Sequence, residues 1–133
     1  MKKLFLALAL AFPVFANTTL FTKYEAVRQS LLEDDLAGAQ KNAAGLHTDA
    51  QKAKKPTIAE LAQAVQKSRD LTGARRAFAA LSDEMIKVRN TTTGARPAVY
   101  YCPMVKKSWL QPKGQIGNPY DSAMALCGEL TSP

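Results

Sequence analysis

The chain has one histidine, one tryptophan and two cysteines in 133 residues, and each scarcity narrows what it can do. With a single histidine, His47, and no Gly-x-Ser-x-Gly stretch, a nucleophile triad is hard to assemble. The acidic run Glu33-Asp34-Asp35 reads as a solvated helix face rather than an acid–base pair. No glycine-rich phosphate loop is present, and no Cys-x-x-Cys pair supplies a dithiol motif. The expectation is a protein that is not an enzyme.

Long apolar runs are missing except at the start, where MKKLFLALALAFPVFA places two lysines before an apolar stretch too short to span a bilayer. Val14 and Ala16 stand at the −3 and −1 positions of a small-residue cleavage site. Residues 1–16 are therefore expected to be a cleaved signal peptide, and residues 17–133 one domain exported to the periplasm. With no cysteine at the cleavage point and no second apolar run, neither a lipid anchor nor a retained membrane span is expected. The formal charge of +7 drops by two when Lys2 and Lys3 leave. Export makes nucleic acid a poor partner for the remainder, which suits solubility or weak attraction to an anionic membrane face.

What is there reads as helix for most of the length. Leu20, Tyr24, Val27, Leu31, Leu36, Ala39, Ala43 and Leu46 recur at steps mostly of three and four, predicting one helix over 18–46 with a candidate bend at Leu32-Glu33-Asp34-Asp35-Leu36. A polar loop to Pro56 follows. Thr57-Ile58-Ala59-Glu60 has the form of a capping box, opening a second helix with Leu61, Ala64, Val65 and Leu71 inward. A third helix spans 74–89, with Phe78, Leu81, Met85 and Val88 on its apolar face. The fold class expected is all-α: a small bundle of three main helices with an irregular C-terminal segment and a short fourth helix.

Chemistry concentrates after the connector at 90–97. Pro103 pushes Cys102 out of the helical region, so 99–104 is expected to be extended, with Tyr100, Cys102 and Met104 on one face. Asn118, Pro119, Asp121 and Gly128 punctuate a short helix on which Tyr120, Met124 and Cys127 fall at i, i+4 and i+7. Four sulfurs, from Cys102, Met104, Met124 and Cys127, could thus converge as soft ligands suited to copper(I) or silver(I). Alternatively Cys102 and Cys127 form a disulfide, stabilising the fold by roughly 3.5 kcal/mol in the chain-entropy model, with both methionines as ordinary packing. The two arrangements exclude each other at any moment, because an oxidised pair offers no thiolate. Trp109, Tyr100 and Tyr101 are expected to form the apolar body of this segment. His47 is expected at the surface.

The ordered set Cys102-Pro103-Met104, Trp109, Asn118-Pro119-Tyr120, Met124 and Cys127-Gly128 resembles a family of unknown function. Upstream, Tyr24, the Leu31 to Asp35 stretch, Arg75 or Arg76 and Phe78 to Ser82 belong to the same pattern. Members occur as small exported proteins and attached to periplasmic adaptor subunits of copper and silver efflux systems of the resistance-nodulation-division type. The resemblance implies a mainly helical domain and a role in heavy-metal handling, with an efflux adaptor or other envelope protein as partner. It also implies that Cys102, Met104, Met124 and Cys127 are the functional positions. Asp121 and Ser122 depart from the pattern, where an aromatic or small residue and a glycine are usual. Two functions follow as expectations: a protein that binds copper(I) or silver(I) for buffering or delivery to efflux, or a disulfide-stapled interaction module of the cell envelope without metal.

Overall fold

The computed structural model describes residues 12–133, with side chains from residue 16. Most of the expected leader therefore lies outside the described residues. Four helices come first: α1 (Phe12–Leu32), α2 (Leu36–Lys52), α3 (Pro56–Gln66) and α4 (Leu71–Thr91). Three short strands follow, β1 (Ala98–Cys102), β2 (Lys107–Gln111) and β3 (Glu129–Ser132), forming an antiparallel sheet in the order β2-β1-β3. The all-α expectation is corrected by this sheet: the fold is mixed, four helices plus three strands. Five-residue strands leave too little alternation for periodicity to reveal, and β3 has three exposed positions in four.

The single long helix expected over 18–46 is two. Asp34 adopts φ 57°, a left-handed conformation that ends α1. Asp35 then caps α2, its carboxylate accepting from the Gly38 amide at 2.9 Å. The acidic run is thus a helix break. Its polar loop is largely helix too, since α2 continues to Lys52. The capping box at Thr57 does not form: Lys55 is the N-cap, Pro56 takes the first turn, and no side chain caps the end. With the start shifted, α3 buries Ile58, Ala59, Ala62 and Val65; of the inward set expected, Val65 is buried and Leu61 half-buried against the core, while Ala64 is exposed and Leu71 opens α4. α4 begins earlier than expected because the Asp70 carboxylate accepts from the Gly73 amide at 2.7 Å.

The core runs continuously from the helices into the sheet. Tyr24 of α1 stacks on Phe78 of α4 with ring centroids 4.7 Å apart, and Phe78 lies 6.0 Å from the Tyr120 ring in the C-terminal segment. Trp109 of β2 is completely buried, edge-on to Tyr120 and stacked with Tyr100 of β1. Of the aromatic residues expected to build the C-terminal part, Trp109 and Tyr100 do so, on the helical core rather than beside it, while Tyr101 is half-buried outside this cluster.

Polar groups inside this junction are satisfied in a chain. The Leu110 amide donates to the Tyr24 hydroxyl at 3.1 Å, Tyr24 and Ser82 are 2.6 Å apart, Ser82 and Tyr120 3.0 Å, and Tyr120 reaches the Ser108 carbonyl at 2.6 Å. One arrangement of protons uses every partner: Tyr24 donates to Ser82, Ser82 to Tyr120, and Tyr120 to the carbonyl. Burial holds both tyrosines well above their ordinary value near 10.

The consequence for stability has a definite sign. Unfolded tyrosine ionises near pH 10 while the buried pair stays neutral, so the folded state loses stability as pH rises past 10. Urea denaturation from pH 9 to 11 should show this decline, and Tyr24→Phe should make it shallower. The same variant should cost about 1–3 kcal/mol at pH 7 by orphaning the buried Leu110 amide.

Candidate functional site

β1 and β2 are joined by a tight turn through residues 103–106, in which Lys106 takes φ 56°. Met104 therefore sits on the turn rather than on the strand, and the alternation that would align it with Cys102 stops before reaching it. Cys102 is fully buried, whereas Met104 is 72% exposed.

The short fourth helix is corrected as well. Instead of a two-turn α-helix, a single 3-10 turn covers Ser122–Met124, with the Asp121 carboxylate accepting from the Ala123 amide at 2.9 Å. Asn118 caps locally by accepting from the Tyr120 amide at 2.9 Å, and its own amide donates to the Ala125 carbonyl at 2.8 Å. This closes residues 118–125 into a compact loop. Proline at 119 and glycine at 128 read equally well as punctuation of a loop, which is why the helix signals misled.

The loop is anchored to the helices by two arginines. Arg28 of α1 donates to the Gly117 carbonyl at 2.6 Å while its other nitrogens hold Glu25. Arg75 of α4 donates to the Pro119 carbonyl at 2.9 Å, to the Leu31 carbonyl at 2.7 Å and to Asp34 at 2.7 Å. The Arg75 guanidinium beside it holds the Asp34 carboxyl below its ordinary value. Arg75 thus ties the α1–α2 break to the C-terminal loop. Sequence alone marked both ends of this contact without showing that they meet.

Cys102 and Cys127 are joined as a disulfide, with Cα atoms 5.5 Å apart. It links the end of β1 to the residue just before Gly128 and β3. Gly128 lies flat against Trp109: a Cβ there would stand 2.7 Å from the indole. Of the two sulfur arrangements, the described state is the disulfide. Met124 is half-buried, and its carbonyl accepts from the Cys127 amide at 2.9 Å. In this oxidised form the four sulfurs are not presented as a ligand set, because two are bonded to each other and Met104 faces solvent. Among the described residues no group of three or more His, Cys, Asp or Glu side chains is arranged to hold an ion. His47 is half-buried, its Nδ1 donating to the Ala59 carbonyl at 2.7 Å, which fixes α2 against α3.

What the disulfide end does present is apolar surface. Among the described residues, Met104, Leu126 and Leu130 are the large hydrophobic side chains left exposed, at 72, 69 and 42%. The strand register pairs Tyr101 with Glu129 and Tyr100 with Leu130, so the start of β3 lies beside the end of β1 that leads into the turn bearing Met104. Leu126 precedes the cysteine that is bonded to the end of β1. Leu126 and Leu130 could not be singled out from sequence, since scattered leucines look alike until the turn geometry is known.

A family model matches residues 20–95. The chain belongs to this family of proteins of unknown function, DUF3347. The matched region covers α1 from Leu20 through α4 and ends before Cys102, so the sheet and the disulfide lie beyond it. No curated protein and no solved structure matches the chain. No described helix is long and apolar enough to cross a membrane.

Reduction should test how much the bond contributes. Cys102→Ser with Cys127→Ser, or treatment with a phosphine reductant, is expected to lower unfolding free energy by roughly 3.5 kcal/mol, read from urea midpoints.

Proposed function

We propose that this member of the family is an exported, non-enzymatic interaction module of the cell envelope, held in shape by its disulfide. Its docking face is the disulfide end of the sheet, and its partner is another envelope protein. The observation that carries this reading is the exposure of Met104, Leu126 and Leu130, each within three residues of one of the two cross-linked cysteines. Exposed apolar side chains gathered on one rigid edge suit protein contact, whereas single scattered ones need no explanation. The disulfide supports export, since such bonds persist in oxidising compartments.

The resemblance to domains attached to efflux adaptors selects the partner: the adaptor subunit of a copper or silver efflux system. Affinity of the oxidised chain for the purified periplasmic part of such an adaptor, measured by calorimetry, tests this. Met104→Glu with Leu126→Glu should weaken binding at least tenfold by placing charge in an apolar contact. An adaptor that does not bind, or binds both forms equally, contradicts the reading.

A second reading concerns the reduced chain. Met104 and Met124 flank the two cysteines in sequence, and Met124 is bonded through its carbonyl to the Cys127 amide. Opening the disulfide would leave two thiols, each close in sequence to a thioether, a soft set suited to copper(I) or silver(I) as cargo. Anaerobic copper(I) titration of reduced protein against a competing chelator should then show binding that Cys102→Ser with Cys127→Ser removes. Equal binding by the variant defeats this reading and leaves the docking proposal standing.

A further inference from the structure

A cleft of about 390 Å³ opens at the end of the β1–β2 pair away from Cys102, between the start of α1, the 95–97 segment and the end of β2. Its walls are mainly apolar: Phe21, the Tyr24 ring, Pro97, Leu110 and Pro112. That volume lies within the range of small-molecule sites, roughly 300–1,000 Å³. Arg96 stands on its rim. The same side chain also lines a polar recess of about 380 Å³ together with Asn90, Thr91 and Thr93. A cation thus sits at the junction of an apolar cleft and a polar recess.

The charges around the cleft leave Arg96 available. Glu25 also lines it, but both of its oxygens are taken by Arg28 and Gln29. Arg89, behind Pro97, is buried and committed to the Pro97 carbonyl, to Asn90, and to oxygens of Ser132 and Pro133. Arg96 is exposed and uses only one terminal nitrogen, donating to the Arg89 and Thr92 carbonyls at 3.2 and 3.4 Å. Those carbonyls belong to the C-terminal end of α4, whose dipole amounts to about half a negative charge against a full positive one. The rim therefore stays positive, and no carboxylate pairs with Arg96 among the described ion pairs.

We infer that this cleft binds a single-chain amphiphile with an anionic head, its hydrocarbon chain lying against Phe21, Pro97 and Pro112 and its head on Arg96. An apolar cleft alone would accept any greasy group, but the adjoining cation and hydroxyl-lined recess select an anion with an acceptor-rich head. A fatty-acid carboxylate meets both requirements, its two oxygens matching the two nitrogens that Arg96 leaves unbonded.

The test uses the full chain, titrated with laurate below its micelle concentration and followed by amide chemical shifts. Shifts should cluster at residues 18–25, 95–97 and 110–112. Arg96→Gln should weaken laurate about tenfold, the cost of one charge-assisted hydrogen-bond pair, while leaving dodecanol affinity unchanged. Ala95→Trp, at an exposed position on the wall, should abolish binding without altering the rest of the spectrum. The inference is overturned if laurate shifts map to Met104 and Leu126 instead. It is equally overturned if dodecyltrimethylammonium binds as well as laurate, or if no shifts appear.

Discussion

The Ser82 hydroxyl is the point on which the two halves of the molecule depend. It lies between Tyr24 of α1 and Tyr120 of the C-terminal loop, and through them it reaches the Leu110 amide and the Ser108 carbonyl of β2. A five-residue strand cannot hold itself on a helix face by hydrophobic contact alone. Here its backbone is fixed by side chains from the core. A buried network of this kind is unforgiving, because each group left without its partner bears a full desolvation penalty. The helices therefore place the sheet, and the sheet places the disulfide.

Beyond the hydroxyl chain, three further ties hold the C-terminal part: Arg28 on Gly117, Arg75 on Pro119, and Arg89 on Ser132. Each arginine leaves from α1 or α4 and ends on backbone or hydroxyl oxygen. The disulfide closes the far end, where β3 has little buried surface of its own. Division of labour follows from this. Helical packing supplies most of the stability, and covalent closure adds to it while keeping the exposed edge in one conformation, which would lower the entropic cost of the proposed docking.

Much of the helical part was legible in the sequence because Leu20, Tyr24, Val27 and Leu31 recur at helical spacing, as do Phe78, Leu81 and Met85. The break at Asp34 was marked by its acidic run, yet a run of polar residues does not say whether a helix bends or ends. The extended stretch expected at 99–104 is β1 as far as Cys102, but its pairing into a sheet escaped: β1 is buried at Ala98, Val99, Tyr100 and Cys102, so no alternation survives to mark a strand with one solvent face. Of the four sulfurs, the pairing of Cys102 with Cys127 was one of two arrangements the spacing allowed. The turn at 103–106, which turns Met104 outward, follows from hairpin pairing that no local pattern announces.

Hydrogen exchange at β3 offers the most direct test that the disulfide holds the proposed docking face while the helices keep their own fold. In the oxidised protein the Leu130 region should be protected; in the Cys102→Ser, Cys127→Ser variant it should exchange much faster, with α1 and α4 still protected. If β3 keeps its protection without the bond, or if the helices lose theirs together with it, the account is wrong.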